Sequence, residues 1–257
     1  MRKSLLTLGI IAAAAAVPAQ AEYLYGWGDM SVNYLDWSNG TEDRSGGFKN
    51  DFMYLELEGG AGFTWGELYG FADLEFQDDN PASKGDGMAM STKGSIAVKT
   101  GMKELRFYAQ TYSTENQGFH ARNTVAGLSY NFSGDNWFFN PWAGFHYTNT
   151  SDGAWGNDQG GFAGLNGGMA GWVAGYNFNL GEAKFSISNW HETEFARDDE
   201  YLTVNGENDD LSYNGAIAAW WHATDSVSTG VQYRYAHNKL GQSQTDNAII
   251  YTVKYNF

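Results

Sequence analysis

Two neighbouring stretches carry rings and carboxylates at every second position. Residues 51–58 read Asp51-Phe52-Met53-Tyr54-Leu55-Glu56-Leu57-Glu58, and residues 67–75 read Glu67-Leu68-Tyr69-Gly70-Phe71-Ala72-Asp73-Leu74-Glu75. In an extended chain alternate side chains share a face. Tyr54, Glu56 and Glu58 therefore stand together, opposite Met53, Leu55 and Leu57. Glu67, Tyr69, Phe71, Asp73 and Glu75 likewise stand opposite Leu68, Gly70, Ala72 and Leu74. Rings offer flat surfaces for stacking, and carboxylates accept hydrogen bonds from hydroxyls. Such a face suits a small neutral solute with one flat apolar part and several hydroxyls. Arg106, Tyr108 and Gln110 share a face further on, as do Gln232 and Arg234. The same groups could instead close on one another, with Arg106 or Arg234 against Glu56, Glu58 or Asp73. That would make an ion-pair plug, and a structural or receptor protein without transport. The pattern alone leaves the solute path and the plug both open.

Signals for bond-making chemistry are poor. His120, His146, His191, His222 and His237 lack metal-ligand spacing, so no metal centre and no cofactor is expected. No Gly-x-Ser-x-Gly elbow occurs. Ser188 and His191 would be the nearest thing to a lipid-cleaving pair. In one strand their odd separation turns them to opposite faces. The glycine-rich run 160–168 reads as a loop and not as a phosphate cradle, because no helix follows it.

The elements that must hold these residues are strands. Alternation of period two recurs near 29–38, 51–60, 66–76, 92–99, 104–113, 122–132, 137–148, 169–178, 183–193, 213–222, 227–237 and 247–257. Each segment is about as long as a tilted strand needs to cross a bilayer. After every second segment comes a short link, such as Ser133-Gly134-Asp135-Asn136 or Asn179-Leu180-Gly181-Glu182. The other links, such as 39–50, 77–91, 149–168 and 194–212, are mostly long. An even count with short turns at one end and long loops at the other predicts an all-β transmembrane antiparallel up-and-down barrel of about twelve strands. The short turns would face the periplasm, with both termini, and the long loops the exterior of a bacterial outer membrane. A carboxylate in hydrocarbon is costly, so Glu56, Glu58 and Asp73 must look into a polar lumen. Three strands end alike, on Tyr130-Asn131-Phe132, Tyr176-Asn177-Phe178 and Tyr255-Asn256-Phe257. Their rings would form a periplasmic girdle.

Composition agrees. Residues 1–21 read as a secretory signal peptide, with Arg2 and Lys3 before an apolar stretch and Ala19-Gln20-Ala21 at the cleavage site. The remainder, 22–257, is one barrel domain. No later run of about 18 apolar residues predicts a membrane helix. The chain has no cysteine and a net charge of −15, which argues against nucleic acid as a partner. Many acids fall in loops: Glu42, Asp43, Asp78, Asp79, Asp152, Asp158, Asp198, Asp199, Glu200, Glu207, Asp209 and Asp210. They read as a solvated surface, or as sites where divalent cations would bridge to lipopolysaccharide.

The N-terminal half resembles the nucleoside-specific outer-membrane channels of the Tsx-like group. The resemblance is carried by Trp27, Ser31-Val32-Asn33, the run 50–58, and Glu67-Leu68-Tyr69-Gly70-Phe71-Ala72-Asp73, and it is best from about Tyr23 to Tyr112. Phe71 stands where the group more usually has Tyr, and Glu67 where it has Asp. The loop 149–168 looks unlike the group's. The resemblance implies a monomeric twelve-stranded barrel that passes nucleosides by facilitated diffusion, with Tyr69, Phe71 and Asp73 facing the channel. It also implies possible service as a phage or bacteriocin receptor. Phe257 resembles the terminal aromatic read by the barrel-assembly machinery.

Overall fold

The computed structural model describes residues 21–46, 49–77, 87–116, 119–151 and 160–257. Asp78, Asp79, Asp152, Asp158 and nearly all of the signal segment 1–21 lie outside them. The strands are β1 (Tyr23–Trp37), β2 (Phe52–Phe63), β3 (Gly66–Gln77), β4 (Gly87–Lys99), β5 (Leu105–Glu115), β6 (His120–Tyr130), β7 (Phe132–Ser133), β8 (Trp137–Thr150), β9 (Ala163–Leu180), β10 (Ala183–Phe195), β11 (Ser212–His222), β12 (Val227–His237) and β13 (Thr245–Asn256). The two-residue β7 continues β6 past Asn131 in the same register against β8, Ser129 facing Trp142 and Phe132 facing Phe139. Counting β6 and β7 as one, twelve strands form the wall. Each pairs antiparallel with its chain neighbours. β1 closes on β13 through Val32 and Val253, and among the described residues no strand edge is left over.

This sheet is inside out relative to a water-soluble protein. Phe145 is 77% exposed, Phe107 62% and Val253 57%, while the polar Ser31, Asn33 and Gln110 are at most 3% exposed. Register keeps the two sets apart: Val253, Val32, Leu55 and Leu74 follow one another across four strands on the outer face. Their inward neighbours are Thr252, Asn33, Tyr54 and Glu75. An apolar outer band over a polar interior is the pattern that lipid imposes on a barrel. At one level of this band side chains are missing altogether. Gly28, Gly59, Gly70 and Gly94 stand side by side across β1–β4 on the outer face.

The strands are longer than the alternation predicts. β1 begins at Tyr23, and β9 begins at Ala163, so most of the glycine-rich run 160–168 is wall and not loop. Glycine gives no side-chain pattern, but a β-bulge between Phe145 and Tyr147 lets β8 keep pairing with this run. Two short helices in long links were also unforeseen. α1 (Asn39–Ser45) is capped by the Ser38 hydroxyl, and α2 (Asp199–Asn205) by the Asp198 carboxylate. The short links are tight, as at Gly181, whose φ of 64° opens the turn from β9 to β10.

Candidate functional site

All ten residues singled out from alternation sit at inward-facing positions, but the structure divides them among three places. The first is the inner face of β2 and β3. Tyr54 faces Glu75, Glu56 faces Asp73, and Glu58 faces Phe71 across the ladder. The Tyr69 hydroxyl donates to Glu58 Oε1 at 2.6 Å. Ser91 Oγ and Gln77 Nε2 donate to the two Glu75 oxygens at 2.9 and 2.8 Å. Lys254 Nζ lies 3.1 Å from Asp29 Oδ2 and 3.7 Å from Glu58 Oε2, and 4.5 Å above the Trp220 ring. Asp29, Glu56 and Glu58 bring carboxylate oxygens within 4.8 Å of one another, and this ammonium answers their charge. Glu56 and Asp73 differ. Among the described residues neither has a cation within ion-pair distance, and Asp73 Oδ1 is buried without a donor. The Phe71 ring lies beside them, 6.4 Å from Tyr112 and 6.5 Å from Tyr69.

The second place is the short-turn end. Arg106 does not meet Glu56, Glu58 or Asp73, as an internal plug would require. Its guanidinium lies 2.7 Å from Glu67 Oε1 and 3.2 Å from Glu104 Oε2. Glu67 also accepts from Asn131 and from the Tyr25 hydroxyl. Register explains it: Arg106 pairs with Lys99 and Ser129 beside the turns, far along the strand from the level of Asp73. The third place is the flanking wall on either side of that face, at β5 and β12. The Tyr108 ring stacks on Trp142 at 5.4 Å and packs on Val125 and Met169. Arg234 makes no ion pair among the described residues and lies 5.9 Å from the Trp190 ring.

Three lumen residues went unnoticed in the sequence: Tyr112, Lys93 and Glu192. Lys93 and Glu192 pair at 2.7 Å. Alternation was available, since Ser91, Lys93 and Ser95 share one parity and Ser188, Trp190 and Glu192 another. A lone charge among small residues gave no reason to single them out. Ser188 and His191 do face opposite sides. Ser188 accepts from Trp220 Nε1 at 3.0 Å inside, while His191 stacks on Trp172 outside. The other histidines bond to Asn, Ser or Thr.

The long-loop end carries the densest charge. Arg197 is fully buried between Glu194, Glu207 and the carbonyl oxygens of Asp209 and Asn238. Lys239 also pairs with Glu194. Glu207 is therefore not a solvated loop acid. Burial pushes its carboxyl above the usual range even though Arg197 opposes the shift. The same burial holds the Tyr201 hydroxyl well above its ordinary value. Nearby, Lys49 donates to the Leu240 carbonyl at 3.2 Å. Burial lowers its ammonium to about 8 despite Asp246 at 4.0 Å.

A closed lipid-facing barrel with a polar, ring-lined lumen is the architecture of a bacterial outer-membrane channel. The chain belongs to the family described as the nucleoside-specific channel-forming protein, Tsx, which it matches over residues 32–257. Among solved structures it resembles the outer-membrane channel DcaP of Acinetobacter baumannii, at 12% identity and a TM-score of 0.40, covering 93% of this chain and 98% of that one. An outer-membrane channel from Pseudomonas putida F1 has 14% identity and a TM-score of 0.45 over the same shares.

Proposed function

We propose that nucleosides cross this channel along the inner face of β2 and β3, held by Phe71, Tyr112, Glu56 and Asp73. The reading rests on one observation: the Glu56 and Asp73 carboxylates have no cation partner among the described residues and lie beside the Phe71 and Tyr112 rings. A nucleoside matches that pairing, with a flat base to stack and ribose hydroxyls to donate. Asp73 Oδ1 gains the donor that burial otherwise denies it. Glu58 and Glu75 already accept from protein donors, so they frame the path and do not grip the solute. Tyr54 and Tyr69 line it, and Arg234 stands across from the acids. Arg106 and Tyr108 belong to the packing at the turn end and against Trp142.

Flux of uridine and thymidine into liposomes, against sugars of equal mass, tests the proposal. Nucleosides enter faster and saturate. Loss of one stacking ring is worth about 1–3 kcal/mol, so Phe71→Ala raises the half-saturating concentration about tenfold. Asp73→Asn weakens uptake while leaving the sugars alone. Equal rates for nucleosides and sugars through the wild-type channel would remove the specificity claim.

A further inference from the structure

Lys93 and Glu192 arise from β4 and β10. Round the wall from β4 the order is β5, β6, β8, β9 and then β10. The two strands thus stand five places apart in a ring of twelve, almost opposite one another. Their side chains nevertheless meet, with Nζ 2.7 Å from Oε1. Both start from inward positions, Lys93 level with Phe71 and Tyr112, and Glu192 level with Gly171 and Asn214. The contact therefore crosses the lumen. Gln110 Nε2 reaches the same carboxylate oxygen at 3.4 Å, and the Tyr108 hydroxyl donates to Gln110 Oε1 at 2.7 Å, which ties the span to β5.

The span separates two unlike halves. Beneath β6, β8 and β9, Val125, Trp142, Met169 and His146 fill the lumen at the level of the bridge and are all buried, and only nearer the short turns do the inward Val173 and Phe138 become exposed. Along β2 and β3 the inward side chains Glu56, Phe71, Asp73 and Glu75 keep part of their surface free.

We propose that the Lys93–Glu192 bridge is a specificity-determining strut, which fixes the width of the passage left beside Phe71 and Tyr112. It rests on the nucleoside reading above. A pair shielded from bulk water resists opening, because separation leaves each charge without compensation. The passage therefore stays narrow enough for a flat base moving edge-on, and a chair-shaped sugar of the same mass is held back.

The test uses the full channel in planar bilayers and liposomes. Lys93→Met and Glu192→Gln each raise ion conductance about twofold and lower the nucleoside-to-sugar flux ratio several-fold, as loss of a constriction requires. The exchanged pair K93E/E192K restores both values. Glu192→Asp keeps both charges but shortens the reach by one methylene. It shifts both readouts in the same direction, and it serves where a singly charged variant fails to assemble. Wild-type conductance and flux ratio in these variants would overturn the strut, as would an exchanged pair no better than the single changes. If the wild type shows no preference for nucleosides, the proposed function fails instead. Conductance still decides the strut.

Discussion

Arg197 holds together the rim where the links leaving β10 and β12 meet. Its side chain has no exposed surface, and it serves Glu207, Glu194, the Asp209 carbonyl and the Asn238 carbonyl. Arg197→Met keeps the length and removes the charge. Glu194 retains Lys239 and Ser212, but among the described residues Glu207 retains only the Gly241 amide as a hydrogen-bond partner. Removing one partner of a buried pair costs about 3–5 kcal/mol, because the survivor stays buried and uncompensated. The lipid-facing ladder does not share in this contact, so the loss falls on the rim and not on the barrel. At about 1.4 kcal/mol per decade, local opening of residues 198–211 becomes some two to three and a half decades more frequent. Amide hydrogen exchange of the protein in micelles reads this directly. Protection of α2 falls by that factor, while β2 and β3 exchange as before. The double variant R197M/E207M recovers most of the protection, since no orphaned carboxylate remains. Less than about a tenfold change in the single variant would refute this account of the rim.

Two further outcomes follow from the same geometry. One lysine should titrate near pH 8, seen in the side-chain carbon resonances of labelled lysine, and Lys49→Met should abolish that transition. The sign is set by burial. Below pH 8 both folded and unfolded states carry the charge and the folded rim bears its cost; between 8 and 10.5 the folded form gives up its proton first. Rim stability therefore rises over that interval, by about 3 kcal/mol at most. A flat response would mean that Asp246 compensates Lys49 fully. Gly171→Val places a Cβ against the His191 carbonyl and 2.7 Å from the Trp142 ring. Overpacking of this kind costs about 1–3 kcal/mol, read as a lower urea midpoint for folding into vesicles. An unchanged midpoint would show that both the β10 backbone at His191 and the Trp142 ring give way.

The sequence made the wall readable because lipid leaves so little choice. Leu55 and Leu57 against Glu56 and Glu58 can face only one way each, and register then carries that decision round the ring. The inward placing of the ten singled-out residues was legible for the same reason. Alternation says which face a side chain takes but not how far across the lumen it reaches. Alternation therefore left open a plug with Arg106 or Arg234 against Glu56, Glu58 or Asp73, and Arg106 lies with Glu67 and Glu104 beside the turns. Lys93 and Glu192, 99 residues apart, meet only because the ring is closed. The helices α1 and α2 escaped notice because seven residues give too few turns for a helical period to show. Glu207 looked like an ordinary surface acid for want of any local sign that Arg197 would cover it.

The row of Gly28, Gly59, Gly70 and Gly94 brings the membrane's interior closer to the pore than elsewhere on the wall. At Gly59, Gly70 and Gly94 only backbone separates acyl chains from the lumen, the Phe257 ring covering Gly28. Glu56 and Asp73, without a cation partner among the described residues, point inward three residues from Gly59 and Gly70. An insulating medium so near forces the field of those acids along the channel axis instead of letting it dissipate sideways. Phosphorylated relatives of a nucleoside, which carry negative charge, meet that field as a barrier, whereas the uncharged compound crosses it without penalty.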